Sequence, residues 1–431
     1  MKEKVLILTY YWPPSGGPGV QRWLKFCRYL PEFGFEPIVL TVDPGQATYP
    51  IADASLLKEV PAHLRVYTTS TREPYALYKR IMRRTHVPYS GFANEQNTGM
   101  GSTVSRFLRG NLFVPDARVG WNRFALQQAR KLIQEENIPY LITTSPPHST
   151  QLVGLKLKKE FPQLRWIADL RDPWTDIFYY KDLLHLPMIR RKDRQLEKQV
   201  LAQADTVVTV SNFISNMFVQ KVGEEYAARF KVVYNGYDSD DFREVPPRIK
   251  ADTFTLAYVG TLADSYRLDG LIHAIKMLKP EYFSRIRLHF TGQICDTWRN
   301  ALQENFPGKV EFSGHADHKT AIARMHTADM LLLVIPDTSQ NQGILTGKLF
   351  EYMAAGRIVV GLGPPKGEAA SILEDTRAGV MFDYANAGEI AAFIEKCMEK
   401  EYEPHYAAIA KYSRRSLTQY LTTLIPSNHV G

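Results

Sequence analysis

The sequence predicts an α/β fold of two Rossmann-like, doubly wound parallel-sheet domains. Three observations predict it. Short apolar or β-branched runs alternate with stretches of helical period along almost the whole chain. The alternation stops once, over the polar stretch 238–253, and then restarts. The length, 431 residues, suits two or three domains at about 150 residues each. The expected organisation is a first domain over 1–240, a second over 253–404 and a closing helix over 405–425 that returns to the first domain.

The elements follow in order. Val5–Tyr11 reads as the first strand, Val20–Pro31 as a helix (apolar at Val20, Trp23, Leu24, Cys27 and Leu30) and Glu36–Val42 as the second strand. Tyr140–Thr144, Arg165–Asp169, Thr206–Val210 and Lys231–Tyr234 are further strands, each separated by a helical segment. After the break come Thr255–Val259, Ile286–Thr291, Val310–Ser313, Met330–Ile335, Ile358–Leu362 and Gly379–Phe382. Strands this continuously apolar belong to a parallel sheet covered on both faces. Two such sheets facing each other would open a cleft at the carboxyl ends of their strands, where open parallel sheets bind ligands.

Composition excludes several classes. With 45% hydrophobic and 23% charged residues the chain is neither disordered nor collagen-like. Cys27, Cys295 and Cys397 are too far apart for a disulfide framework or a CxxC metal site. No signal peptide is visible and no apolar run reaches the roughly 20 residues of a membrane span, so a cytoplasmic, peripheral protein is expected. The 53 Lys/Arg against 45 Asp/Glu give a net charge of +8. Residues 72–124 hold nine cations (Arg72, Lys79, Arg80, Arg83, Arg84, Arg106, Arg109, Arg118, Arg123) and three acids (Glu73, Glu95, Asp116). That stretch accounts for +6 of the total. Its interleaved Tyr75, Leu77, Tyr78, Phe107 and Leu108 suit an acidic lipid surface at the inner face of a membrane. No basic–aromatic RNA motif or helix-turn-helix pattern supports nucleic acid as a partner.

Candidate ligand groups sit where strands end. Gly16, Gly17 and Gly19 join the first strand to the first helix and can bring backbone N–H groups to an anion at a helix N-terminus. The spacing is not GxGxxG, because Arg22 stands third from Gly17. This weakens a reading as an NAD-dependent oxidoreductase with Asp43 on the ribose. Thr346 is a candidate N-cap for a short helix through Gly347, Lys348 and Leu349 to the stop at Gly356. Lys348 opposes the helix dipole there by a few tenths of a kcal/mol. A diphosphate at the same end would reverse the sign, since a lysine about 4 Å from a phosphate charge gains on the order of 4 kcal/mol at an effective dielectric of about 20. Glu351, in the next turn, could accept ribose hydroxyls. Gly260 and Thr261 with Arg267 form a further candidate pyrophosphate site, and Gly292 and Gly314 end two more strands. His148 and Asp172 are candidate acid/base groups, and Arg171 a candidate anion contact, after two strands of the first half. Asp238-Ser239-Asp240 reads as a turn, and no metal site is expected.

Together these motifs resemble retaining glycosyltransferases of family 4, with the GT-B fold. The resemblance runs through Pro14–Gly19, Ser145-Pro146-Pro147-His148, Asp169-Leu170-Arg171-Asp172-Pro173-Trp174, Tyr234-Asn235-Gly236-Tyr237-Asp238, Tyr258-Val259-Gly260-Thr261-Leu262 and Thr346–Gly356. It implies transfer of a sugar from a nucleoside-diphosphate sugar with retention of configuration, without metal or other cofactor. It places donor phosphates at Lys348, ribose at Glu351, and Gly16 and Gly17 beside donor and acceptor. A glycan or lipid-linked acceptor in cell-surface polysaccharide or glycolipid synthesis would fit. Two positions depart from the family: Gly343 stands where many members have a sugar-contacting glutamate, with Asn341 and Gln342 beside it, and Arg171 where many have histidine. A sugar-nucleotide epimerase on the same fold is the alternative, alongside the oxidoreductase.

Overall fold

The computed structural model describes residues 2–73, 106–107, 110–177, 180–243, 245, 252–400 and 402–425. Most of the predicted lipid-facing stretch, including Lys79, Arg80, Arg83, Arg84, Glu95 and Arg109, lies outside them. The chain divides into two units. The first runs to Tyr234 and takes in the chain from Thr418; the second is Asn235–Leu417.

Among the described residues, the first unit holds a seven-stranded sheet. Its strands are β1 (Glu3–Leu8), β2 (Phe35–Val42), β3 (Arg65–Thr69), β4 (Tyr140–Ser145), β5 (Arg165–Leu170), β6 (Thr206–Thr209) and β7 (Phe230–Val232). They lie in the order β3-β2-β1-β4-β5-β6-β7 and every pairing is parallel. The second unit repeats the plan with β8 (Phe254–Val259), β9 (Ile286–Thr291), β10 (Val310–Gly314), β11 (Met330–Val334), β12 (Ile358–Leu362) and β13 (Gly379–Phe382). Their order is β10-β9-β8-β11-β12-β13, again parallel throughout. Strand order reverses between β1 and β4, and between β8 and β11. Such switch points are where open parallel sheets generally take their ligands.

Four expectations are corrected. β3, with the sequence RVYTT, is a half-buried edge strand and lacks the apolar run used to find the others. β1 ends at Leu8 rather than Tyr11, and Thr9 then donates its hydroxyl to the Tyr11 carbonyl. The polar stretch from Asp238 is not all linker: Asp238 is buried and accepts from the Asp240 N–H at the head of a 3-10 turn, Ser239–Phe242. The closing helix is interrupted. Helix Tyr406–Ile409 and a turn Ala410–Tyr412 precede helix Arg414–Thr423. The break comes from the Tyr237 backbone, whose N–H donates to the Tyr412 carbonyl and whose carbonyl accepts from the Arg414 N–H.

Each unit has its own apolar core, but the first also buries a charge pair. Arg22, on helix Pro18–Tyr29, and Asp169, near the end of β5, are 1% and 0% exposed. Their ion pair is 3.1 Å long. Asp169 also accepts from the Trp23 indole (2.8 Å) and the Thr144 hydroxyl (2.7 Å), while Arg22 donates to the Tyr234 carbonyl (2.7 Å). Removing one partner of such a pair leaves an uncompensated buried charge. Asp169→Ala is therefore expected to destabilise the protein by about 3–5 kcal/mol, read as a lower denaturant midpoint for the N-terminal unit. An unchanged midpoint would refute the role given to the pair.

Candidate functional site

In the first unit, the loops after β1, β4 and β5 meet at Arg171. Its Nε donates to the Ser145 carbonyl at 2.9 Å. Its guanidinium lies against Gly19 at the start of helix Pro18–Tyr29, so close that a Cβ on Gly19 would sit 2.4 Å from Nη1. A side chain at Gly19 would displace the guanidinium from this position. Gly16 and Gly17 precede it, but the Gly16 N–H is already occupied by the Ile51 carbonyl at 3.0 Å. Of the two predicted loop glycines, Gly16 thus has its amide taken up internally.

His148 opens helix Ser149–Glu160, yet its side chain makes no capping bond. Its ring stacks on Trp174, with centroids 5.1 Å apart and planes 10° from parallel. Nδ1 is buried without a hydrogen-bond partner. Burial first, then the positive charges of Arg171 and Lys221, push the imidazole down to about 3, so it is neutral at neutral pH. A neutral ring can accept a proton or orient a hydroxyl; it holds no proton to donate as a charged acid. The Asp172 carboxyl, which has no hydrogen-bond partner among the described residues, is raised by burial and by Asp169 and lowered by Arg171.

Behind this group stands a support that sequence reasoning missed. Helix Pro187–Gln203 turns Asp193 and Glu197 inward, both 1% exposed. Asp193 accepts from the Trp174 indole (3.0 Å) and the Tyr180 hydroxyl (2.8 Å). Glu197 accepts from the Thr175 hydroxyl (2.5 Å) and from Lys221 (2.6 Å). Lys221 also pairs with Asp176 at 2.6 Å. The two acids therefore hold Trp174–Asp176 and, through the stacked indole, His148. The signal was available: at i and i+4 they share the inward stripe of Val200 and Leu201.

In the second unit, Gly260, Gly292 and Gly314 end the neighbouring strands β8, β9 and β10. The Gly260 N–H donates to the Thr291 carbonyl at 2.8 Å. Lys348 crosses Gly260 so closely that a Cβ there would lie 2.2 Å from Cε, and Gly260 itself has φ +135°. Lys348 Nζ donates to the Tyr258 hydroxyl (2.6 Å) and contacts the Thr261 carbonyl (3.4 Å), over the Tyr258 ring at 4.4 Å. No carboxylate pairs with it among the described residues, and burial lowers it to about 8 against the opposing pull of Glu351. Helix Gly347–Ala354 is pinned to β8 by Tyr352, whose hydroxyl accepts from the Val259 N–H at 3.0 Å; Leu349, the next residue after Lys348, is packed into the core.

One expectation changes here. Thr346 occupies the N-cap position, but its hydroxyl makes no capping bond and is buried without a partner. The first N–H groups of the helix are left uncapped by it. Arg267, half-exposed, lies within ion-pair distance of Asp337 (3.4 Å) and Asp269 (3.6 Å). Glu351 sits in the field of groups the sequence did not flag: His318, Arg414 and Asp241. His318 pairs with Asp241 at 3.0 Å, which raises the imidazole. Among the described residues no cluster of His, Cys, Asp and Glu is arranged to hold a metal ion.

Two parallel doubly wound units with glycine turns at their strand ends are the architecture of the GT-B fold, which glycosyltransferases share. The chain belongs to that enzyme family: residues 88–241 match the model Glycosyltransferase Family 4, and 253–400 match Glycosyl transferases group 1. No curated protein sequence matches it significantly. Among solved structures it is similar to Anabaena HepE in complex with UDP (TM-score 0.60, 13% identity, 98% of this chain and 99% of that one). It is similar to sucrose-phosphate synthase from Thermosynechococcus elongatus (TM-score 0.61, 14% identity, 98% of each chain). It is also similar to S. aureus TarM in complex with fondaparinux, alpha-GlcNAc-glycerol and UDP (TM-score 0.60, 10% identity, 99% and 100%).

The buried acid gives a pH prediction. Burial, opposed by the Tyr180 and Trp174 hydrogen bonds, raises Asp193 to about 7. The folded protein then binds a proton more tightly than the unfolded chain, where aspartate titrates near about 4. Stability from this group is full below about pH 4 and lost as pH rises towards 7. Asp193→Asn should therefore gain melting temperature relative to wild type on going from pH 4 to pH 7. A gap that stays constant or shrinks would contradict the assignment.

Proposed function

We propose that this glycosyltransferase takes its sugar from a nucleoside-diphosphate sugar and transfers it, with retention of configuration and without a metal, to a glycan or lipid-linked acceptor of a cell-surface polysaccharide or glycolipid. The observation that carries the donor half is the end of helix Gly347–Ala354. An uncapped N-terminus, an orphaned Thr346 hydroxyl and an unpaired Lys348 converge beside the Gly260 turn. These are the groups a diphosphate would satisfy.

In this reading Lys348 and the first helical N–H groups take up the negative charge that grows on the leaving diphosphate. Groups held by the fold in this way stabilise developing charge without reorganising as the bond breaks. Glu351, one turn along, accepts ribose hydroxyls; burial raises its carboxyl, and the positive charges of His318 and Arg414 oppose that rise. On the first unit, Arg171 offers a cation at a helix N-terminus and Asp172 and the neutral His148 offer acceptors for an incoming hydroxyl. Gly343, buried and without a side chain, leaves sugar selection to its neighbours Asn341 and Gln342.

The direct test is release of free nucleoside diphosphate across a panel of activated sugars with candidate acceptors. Lys348→Met keeps the aliphatic stem and removes the charge; it should weaken nucleoside-diphosphate binding by at least about tenfold, the loss of one charged hydrogen bond. Unchanged binding and turnover would remove Lys348 from the site. The product anomer, read by proton coupling, should match the donor, and turnover should survive exhaustive chelation. An inverted product or a rate abolished by chelator and restored by Mg²⁺ would overturn those two parts separately.

A further inference from the structure

The helix that hides Asp193 and Glu197 presents a very different outer side. Over its first three turns Met188, Arg191, Lys192, Arg194 and Lys198 are all exposed, with Arg190 exposed on the flank. Both acids of the helix point inward, so every charge on its outer side is positive. None of these five cations pairs with a carboxylate among the described residues. The nearest exposed acid along the chain is Asp182.

Apolar side chains stand in front of that basic face. Leu184 is 41% exposed, Leu186 45% and Met188 74%. Phe107 (40%) and Leu112 (66%) join them from a separate part of the chain. Asn111 sutures the two segments: its Nδ2 donates to the carbonyls of Phe107 (2.7 Å) and Leu184 (3.1 Å), and its Oδ1 accepts from the Leu186 N–H (2.7 Å). Leu184 is held at φ +50°, a backbone region leucine seldom adopts, with its side chain towards water. The result is one surface of large apolar side chains bordered by unpaired cations.

We propose that this surface docks the N-terminal unit onto an anionic lipid bilayer. The apolar tips enter the headgroup layer and the cations of helix Pro187–Gln203 meet lipid phosphates. Charge selects this occupant: a bilayer offers apolar depth and dense negative charge in one plane and needs no shape complement. The proposal does not depend on the donor chemistry, and it names different residues from the lipid-facing cations expected at Arg80, Arg83 and Arg84.

Sedimentation with phosphatidylcholine vesicles, with and without phosphatidylglycerol, tests it. The wild-type chain should bind the anionic vesicles, lose binding in high salt and bind neutral vesicles weakly. Arg191→Gln, Lys192→Gln and Arg194→Gln should each weaken partitioning by about fivefold. Met188→Asp should weaken it on both vesicle types, while Lys131→Gln, on another exposed helix, should change it no more than a generic surface charge does. Nucleoside-diphosphate binding and the melting temperature should be unchanged in all of them. Absence of wild-type binding to anionic vesicles, or equal binding by the patch variants, would overturn the proposal. So would a self-association that Met188→Asp abolishes while vesicle binding persists, which would make the surface a contact between copies.

Discussion

A guanidinium and a carboxylate held away from water must satisfy each other and find partners for their remaining donors and acceptors. The N-terminal unit is arranged around that requirement at Arg22 and Asp169. Asp169 collects three donors from two other elements, and Arg22 reaches on to the carbonyl of Tyr234, where the unit ends. Two residues after Asp169 the chain emerges as Arg171, already aimed at Gly19 and Ser145. The position of the candidate acid/base groups is thus inherited from a buried pair that touches no substrate.

The second unit treats its central cation in the opposite way. Lys348 is packed against a phenol and a glycine turn, with a carbonyl beyond, and without a carboxylate at ion-pair distance. Arg22 has its charge met by a carboxylate inside the fold; Lys348 does not. Arg267 is half-exposed and shares its charge with Asp337 and Asp269. The two central cations are thus treated differently: Arg22 has a carboxylate partner, and Lys348 has none among the described residues.

The sheets were legible because a parallel strand covered on both faces is a continuous apolar run, as in LLLV of β11 or IVVGL of β12. The edge strand β3 was not, since an edge needs no such run. Loop residues at strand ends were found by their glycines. What those glycines accommodate, Arg171 at Gly19 and Lys348 at Gly260, is a contact between residues far apart in sequence and could only be seen in three dimensions. Helix periodicity could have flagged Asp193 and Glu197, because a charged residue on an apolar stripe must have a buried partner. Their partners Trp174, Tyr180 and Thr175 precede them in a loop without periodicity. The His318–Asp241 pair near Glu351 left no trace in local pattern, and the break at Ser413 was set by a backbone pairing with distant Tyr237.

The lowered Lys348 has a calorimetric consequence. With its ammonium titrating at about 8, part of the population is neutral in mildly alkaline solution. An anion bound beside it favours the charged form, so binding would draw a fraction of a proton from the medium. The measured heat would then contain the ionisation heat of whichever buffer supplied that proton. Titrations of one nucleoside diphosphate in buffers of contrasting ionisation enthalpy would differ in heat but agree in affinity; the slope would count the net protons exchanged, and its change in Lys348→Met would give the share of this side chain.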